Sequence, residues 1–298
     1  MTSKAATALK QFCFPQDNSL TLGVNRFVVC TLLLCFYYFY RGHHASFWAD
    51  VPDVYWRPIH VFRWFSIPRL SGRSLALLDG IWFVALVCTA VGLWTQYSSV
   101  VSFVCGSYLI SLPQNFGKID TSDGPVVLML LILASCRCGD GFSIDAWKRG
   151  IGWSEGRKGR AYGWPNRAGQ VLFAAVFTAA GISKLKNGGL AWISHENLSS
   201  IIIRMSYTGL PTGQTGLWLA DIPIACSAMA LVTIVCETFA WLALFSKKIS
   251  MVIVPGLFAM LVGFKLCLGL WPIYLFVMFT FWIPWDLLLH RTRQFAAR

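Results

Sequence analysis

Lys184 is the residue whose type and setting first suggest chemistry. It lies in TAAGISKLKNGG, residues 178–189, on the last helical turn of an apolar run that begins near Ala168. Ala180 and Gly181 lie one turn back on the same helix face and leave room for a ligand or another helix. A desolvated lysine has a lowered pKa and can act as a base. A lysine at the end of a membrane helix also commonly extends to the headgroups, and spacing alone leaves both interpretations open.

A polar loop between two predicted helices, PQNFGKIDTSDG, supplies candidate carboxylates on the side of the membrane predicted for Lys184. Lys118, Asp120 and Asp123 fall close together in it. A carboxylate beside a desolvated lysine can orient that lysine or shuttle its proton. The same pattern is typical of a glycine-containing turn with solvated charges, so the loop has a structural interpretation as well.

Two further charged residues lie inside apolar runs. Glu237, in IVCETFAWL, lies deep in a predicted helix, where an acid is costly and indicates either function or a hydrogen-bonded structural group. Lys265, in VGFKLCLG, lies close enough to one helix end for its side chain to reach the surface predicted for Lys184.

Common metal and nucleotide motifs are not found in the sequence. Cys136 and Cys138 are separated by one residue, which is not the usual zinc spacing, and no second such pair exists. His43 and His44 are adjacent and point in different directions on a helix. We therefore predict no metal site. The sequence also has no GxSxG, Walker, GxGxxG or HExxH motif.

Composition predicts an all-α membrane protein. Of the 298 residues, 56% are hydrophobic and 13% are charged, which leaves too little polar surface for a soluble protein of this size. Several apolar runs approach about 20 residues, the length of a helix that spans a bilayer. The net charge of +12 lies in loops and tails, so it indicates membrane topology rather than nucleic-acid binding. The first 22 residues show no cleavable signal peptide.

The predicted architecture is one transmembrane bundle over residues 1–298 with seven or eight spanning helices and short interfacial helices. The helices are predicted at 22–40, 75–95, 97–113, 124–136, 166–186, 223–246, 249–270 and 271–290. Aromatic and arginine residues interleaved over 41–74 predict a segment at headgroup level, and 190–206 predicts a short interfacial helix. The basic loop 137–167 predicts a cytoplasmic N-terminus and places Lys184 near the outer or luminal face.

Five stretches, in order, carry a family resemblance: WFSIPRLSG, SLPQNFGKIDTSD, RCGDGFSIDAWKRG, YGWPNRAGQVLFAAVFTAAGISKLKNGGLAWIS and GFKLCLGLWPIYLFVMFTFWIPWD. Together they cover much of the chain. Their order resembles the membrane domain of vitamin K-dependent gamma-carboxylase and its bacterial relatives, the HTTM family. AGISKL followed by LAWIS, and CGDGFSIDAW, are the most specific of these features.

The resemblance implies a quinol-dependent enzyme with Lys184 at the position of the family's proposed catalytic lysine. There the lysine deprotonates reduced vitamin K, which reacts with oxygen and removes the γ-proton of a glutamate, and that glutamate takes up carbon dioxide. Here Asp120 would assist and Lys265 would stabilise oxyanion charge. A reduced vitamin K or another quinol would lie against five residues: Phe177, Gly181, Trp192, Trp271 and Tyr274.

Two departures from the family pattern support an alternative function. Related sequences tend to carry one histidine where this chain has Asp120 or Asp123, and a second histidine where it has Lys265. The large extramembrane region that helps the carboxylase hold its protein substrate has no counterpart in these residues. The alternative is a non-catalytic quinone- or lipid-binding subunit or assembly factor with a partner subunit. A transporter is a third hypothesis, although the sequence shows no inverted repeat.

Overall fold

The computed structural model describes residues 2–40, 45–117, 123–153, 155–207, 216–270 and 272–289. Within these ranges the protein is all-α, as predicted, apart from two strands of two residues each. The chain divides into two compact units, one formed by Met1–Gly169 with Ile283–Arg298 and the other by Gln170–Trp282. The single domain expected over residues 1–298 stays a prediction.

The first unit is built around four packed apolar helices, α2, α4, α5 and α6. Its helices are α1 (Thr2–Cys13), α2 (Ser19–Leu34), α3 (His60–Trp64), α4 (Gly72–Val91), α5 (Thr95–Ser111), α6 (Asp123–Ala134), α7 (Ile144–Lys148) and the start of α8 (Arg160–Gly188). Helix α2 continues as a π-helix over Cys35–Tyr40. A Cβ on Gly106 of α5 would lie 2.7 Å from Nε1 of Trp82 on α4, so glycine is what lets these helices pack closely.

Local sequence signals explain where these helices begin and end. The Asn18 side chain accepts a hydrogen bond from the Leu20 amide and caps α2, and Ser71 caps α4 in the same way through Ser74. Gly92, with φ of 74°, ends α4 in the left-handed conformation that favours glycine. Strand β1 (Asp17–Asn18) lies directly before α2 and pairs antiparallel with β2 (Lys158–Gly159).

The second unit contains the rest of α8 and, among the described residues, five helices after it. They are α9 (His195–Tyr207), α10 (Leu217–Ala220), α11 (Pro223–Thr238), α12 (Lys247–Leu268) and α13 (Ile273–Met278), with 3-10 turns at Gly189–Ile193, Ala240–Leu244 and Phe279–Trp282. Helix α9 packs against α10, α11 and α12. Its fully buried Ile202 contacts a core of Leu219, Cys226 and Leu268. The helix predicted over 190–206 is therefore present as a 3-10 turn followed by α9.

Among the described residues, four helices are long and apolar enough to cross a membrane, which is fewer than the seven or eight predicted. They are Ser19–Phe39, Gly72–Val91, Arg160–Ile193 and Lys247–Leu268. Of the other predicted helices, α5 has the 17 residues expected, whereas α6, α11 and α13 have 12, 16 and 6 residues. At about 1.5 Å per residue, a 12-residue helix reaches about 18 Å, well short of a hydrocarbon core of about 30 Å. The prediction counted apolar runs, and the 3-10 turn after Phe239 interrupts one of them.

The described part of the aromatic segment, from residue 45 onward, is folded around Arg69. One guanidinium nitrogen of Arg69 donates to the carbonyls of Trp48, Ala49 and Val51 at 3.0, 2.6 and 2.5 Å, and the other pairs with Asp53. Several large rings of the segment are exposed, namely those of Phe47, Tyr55, Trp64 and Phe65. Outward rings are compatible with the predicted headgroup position of the segment.

Candidate functional site

Lys184 of α8 forms an ion pair with Glu237 of α11 in the second unit. The Nζ atom donates to both carboxylate oxygens of Glu237, at 2.6 and 2.5 Å. Glu237 is almost fully buried, with 3% of its side chain exposed, whereas Lys184 keeps 19%. In this pair the carboxylate is therefore shielded from solvent, and the amine is partly accessible. Such a contact stabilises the charged forms of both groups.

Close contact between α8 and α11 makes the pair possible. A Cβ on Gly181 would lie 2.6 Å from both the backbone nitrogen and the Oγ1 atom of Thr238, so only glycine fits there. Gly181 precedes Lys184 by three residues, and Thr238 follows Glu237 directly. The same close packing that places Thr238 against Gly181 also brings Glu237 within reach of the lysine.

The ring of Trp192 lies against the ammonium group of Lys184. Its ring centroid lies 5.3 Å from Nζ of Lys184, within the range of a cation–π contact. The ring comes from the 3-10 turn that follows α8, and that turn depends on two glycines. A Cβ on Gly188 would lie 2.3 Å from the Trp192 ring, and Gly189 has φ of 55°. The segment KLKNGGLAW, residues 184–192, thus folds back so that the indole of Trp192 lies over the ammonium of Lys184.

Two buried hydroxyls in this unit have no hydrogen-bond partner among the described residues. They are the Oγ1 atoms of Thr178 on α8 and Thr238 on α11. Buried polar groups in native proteins are normally satisfied, so each such hydroxyl calls for a ligand, a water or a functional explanation. Thr238 adjoins Glu237 in sequence and contacts Gly181, so one unsatisfied hydroxyl belongs to the candidate site itself.

The structure brings together only some of the residues that the sequence singled out. Lys184, Gly181 and Trp192 meet at the ion pair. Phe177 is 2% exposed and packs against Phe173 and Phe279, with ring centroids 4.7 and 6.2 Å away. Phe177 is therefore part of an aromatic core.

The other predicted site residues lie on other helices or outside the described residues. Tyr274 lies on α13 and is 4% exposed. Lys265 lies on the last turn of α12, is half-buried, and takes no part in the pair that Lys184 forms with Glu237. Asp120 and Trp271, together with Lys118, His43 and His44, lie outside the residues that the structure describes. Their assigned roles stay predictions.

Sequence reasoning named Glu237 but did not join it to Lys184. The signal was available, because an acid inside an apolar helix needs a partner and basic residues inside apolar runs are few. Both residues also lie near the ends of their helices, and small residues there allow the two helices to pack closely. What the sequence could not supply is the helix pairing, which depends on the contact at Gly181.

Arg26 is a buried charge that the sequence interpretation missed. It lies in α2 with no exposed surface, and its guanidinium donates to the carbonyls of Cys138 at 2.6 Å, Phe142 at 2.5 Å and Ala90 at 3.4 Å. A charged residue inside the first apolar run was the visible signal. By satisfying three carbonyls, Arg26 fixes residues 138–142 against α2 and the end of α4.

A polar network lies beside Arg26 in the first unit. Asn25 donates to Asn166 at 2.8 Å and accepts a hydrogen bond from the Trp285 indole at 2.8 Å, while Asn166 donates to Asp17. Burial raises the pKa of Asp17, although the hydrogen bond from Asn166 acts in the opposite direction. In the described ranges, no group of three or more His, Cys, Asp or Glu side chains is placed to hold a metal ion.

Comparison with protein-family models, with curated proteins and with solved structures finds no match to this chain.

Proposed function

We propose that this chain is a membrane-integral protein resembling the gamma-carboxylase membrane domain, and that it binds a lipid-soluble quinol beside the Lys184–Glu237 pair. The observation that supports this most is the ion pair itself. Glu237 is buried, Lys184 is partly exposed, and the flat ring of Trp192 lies beside the lysine ammonium. In an apolar segment an acid and a base in direct contact indicate proton handling. When bound, the quinol supplies a weakly acidic hydroxyl and a reducing ring.

The residues around the pair fit such a ligand. A planar amphipathic ring needs an aromatic wall and a few placed polar groups. Trp192 supplies the wall, and Lys184, which keeps 19% of its side chain exposed, supplies the polar group. Gly181 keeps α11 close, so the pair remains beside this wall.

The chemistry proposed for the chain is proton transfer through the pair. Lys184 passes one proton along the 2.5 Å hydrogen bond to Glu237, which leaves a neutral amine and a neutral carboxylic acid. The amine nitrogen then takes the proton of a ligand hydroxyl, and the electrons of that O–H bond stay on the ligand oxygen. Lys184 ends as an ammonium that stabilises the new negative charge. Asp120 as assistant and Lys265 as oxyanion stabiliser belong to the same proposal.

The test is oxidation of a reduced naphthoquinone by the full chain in nanodiscs, with oxygen and bicarbonate present. Wild type should oxidise the quinol above background, and Lys184→Ala and Glu237→Gln should lose that activity. Lys186→Ala is the matched control, because Lys186 is exposed on the same helix two residues away. Equal rates for wild type and Lys184→Ala would overturn the proposal. Adding a glutamate-containing peptide and labelled bicarbonate asks whether a protein side chain is the final acceptor.

A second candidate function is a non-catalytic quinone- or lipid-binding membrane subunit. It is favoured by one observation: a single Nζ atom satisfies both oxygens of Glu237, as in a purely structural pair. Quenching of tryptophan fluorescence by an oxidised naphthoquinone measures binding, which both functions expect, so the quinol-oxidation assay is what separates them. The subunit hypothesis expects quinone binding without quinol oxidation, unchanged in Lys184→Ala, and a co-purifying partner protein.

A further inference from the structure

A basic cavity of about 570 Å³ lies in the first unit. It is bounded by the turn between α4 and α5, by residues 137–149 and by Arg157. Six of its lining side chains carry the inference: Trp94, Tyr97, Arg137, Lys148, Arg149 and Arg157. Four of these are cations.

Both carboxylates of the cavity are already engaged. Asp140 pairs with Arg149 at 3.0 Å and accepts a hydrogen bond from the Tyr162 hydroxyl at 3.0 Å. Asp145 accepts from the backbone nitrogens of Trp94 and Thr95, at 3.0 and 2.7 Å, and from the Thr95 hydroxyl at 2.7 Å.

The remaining cations of the cavity have no acidic partner among the residues that the structure describes. In the ranges that the structure describes, no carboxylate lies within ion-pair distance of Arg137, Lys148 or Arg157. All three side chains are exposed and line the same cavity. The cavity therefore has unsatisfied positive charge directed at a shared space, which is the arrangement that binds an anion.

The aromatic residues at the cavity mark its position relative to a membrane. Trp94 follows the candidate span Gly72–Val91 by three residues, and Trp94 and Tyr97 are 68% and 77% exposed. Trp94 also has φ of 46°, a conformation unusual for a residue with a side chain, and Asp145 holds its backbone there. The chain thus maintains an uncommon backbone conformation that exposes an indole at the end of a span. Exposed Trp and Tyr at span ends lie at headgroup level.

We infer that this basic cavity binds the phosphate headgroup of an anionic phospholipid. Arginine and lysine side chains give charge-assisted hydrogen bonds to phosphate oxygens, and the two exposed rings contact the glycerol and upper acyl region. Asp145 already occupies the amides at the start of α5, so the phosphate is held by side chains rather than by the helix terminus. The inference does not depend on the function proposed for Lys184.

The experiment is native mass spectrometry of the full chain in detergent, titrated with dioleoylphosphatidylglycerol and, separately, with dioleoylphosphatidylcholine. The variant is Arg137→Gln with Lys148→Gln, since both side chains are exposed and make no hydrogen bond or ion pair with another described residue. The control is Lys247→Gln with Lys248→Gln, an equal loss of exposed charge at the start of α12. Circular dichroism confirms that all three proteins are folded.

Wild type and the control should bind the anionic lipid in preference to the zwitterionic one. The Arg137/Lys148 variant should bind the anionic lipid about 25-fold more weakly, at about fivefold for each cation removed near a phosphate. Equal weakening in both variants would show general charge attraction and overturn the inference, as would unchanged binding in the first. Displacement of the lipid by millimolar inorganic phosphate would also overturn it and assign the cavity to a soluble phosphate.

Discussion

The Nζ atom of Lys184 lies 2.5 and 2.6 Å from the two carboxylate oxygens of Glu237, and the two residues are 53 positions apart in sequence. This contact joins α8 to α11. It also gives the second unit a pair of opposite charges in which the acid is the more deeply buried partner. That asymmetry leads to different expectations for the two single substitutions.

Lys184→Met should destabilise the protein more than Glu237→Gln does. Removing the lysine leaves a buried carboxylate without its partner, which costs about 3–5 kcal/mol. Removing the acid leaves a lysine that is partly exposed and can turn its ammonium toward water or headgroups, so we expect a smaller loss. Denaturant unfolding in a fixed detergent measures both free energies.

The double variant Lys184→Met with Glu237→Gln tests whether the two effects share one cause. It should be more stable than Lys184→Met alone, because no buried charge is left unpaired. Lys186→Met is the control for loss of a lysine from the same helix. Additive losses in the double variant would contradict a direct interaction between the two side chains.

Gly181→Ala should lower the free energy of unfolding by about 1–3 kcal/mol, because the new methyl group would overlap the backbone and hydroxyl of Thr238 at 2.6 Å. Gly263→Ala on α12 is the matched control, since nothing lies within 4 Å of a Cβ placed there. That control should be neutral or stabilising by about 0.5–1 kcal/mol, because alanine favours a helix over glycine. Thermal unfolding of the two variants gives the comparison, and the same sign of change in both would contradict the close contact.

Arg26→Met should release residues 138–142 from α2 and α4. The substitution leaves the carbonyls of Cys138 and Phe142 buried without their donor, at about 1–3 kcal/mol for each. Cys136 and Cys138 are 5% and 1% exposed in the folded protein.

Maleimide labelling is therefore expected to be slow at both cysteines in wild type and fast in the Arg26→Met variant. Cys13 in α1 is partly exposed and lies before the first candidate span, so it should react at the same rate in both proteins and serves as an internal control. Protection of Cys136 and Cys138 that survives loss of the arginine would show that Arg26 does not hold this segment.

Asp145 should make the stability of the first unit depend on acid pH. Burial acts to raise the pKa of Asp145, but hydrogen bonds from the amide and hydroxyl of Thr95 and the amide of Trp94, with the nearby Arg149 charge, hold it below its ordinary value. A carboxyl whose pKa is lowered by folding stabilises the protein above its unfolded-state pKa. This stabilisation is lost as the pH falls through the lowered folded-state pKa.

Asp145→Asn is accordingly expected to be less stable than wild type at neutral pH and to lose less stability between neutral and strongly acidic pH. Unfolding free energies measured across that range test this. Asp50→Asn replaces an exposed carboxylate and serves as the control. A variant whose acid-dependent loss equals that of wild type would contradict the role given to Asp145.

Hydrophobic runs identified the helices of this chain more reliably than they identified their ends. Helices α2, α4, α5, α6, α8, α11 and α12 all form where apolar runs predict them. Run length failed as a measure of span length, because the run over 223–246 contains both α11 and a separate 3-10 turn. Hydropathy records which residues avoid water, and it does not record where backbone hydrogen bonding changes from one helix type to another.

The candidate site was predictable residue by residue but not as an arrangement. Lys184, Gly181 and Trp192 could be named because small residues beside a lysine and an aromatic residue after a double glycine are local patterns. The partnership with Glu237 depends on which helices pack together, and the hold of Arg26 on distant carbonyls depends on a loop that returns over 112 positions to the first apolar helix. Contacts of that kind are set by tertiary packing.

The short ladder between Asp17–Asn18 and Lys158–Gly159 has a consequence for biosynthesis. The Ser19 amide donates to the Arg157 carbonyl at 2.9 Å, and the Arg157 amide donates to the Ser19 hydroxyl across 138 positions of sequence. The ribosome therefore makes the first candidate span long before it makes β2, the strand that pairs with β1 at the start of that span. During that interval the start of α2 has only its local cap at Asn18 to hold it. The first unit can complete its fold only after more than half of the chain has been translated.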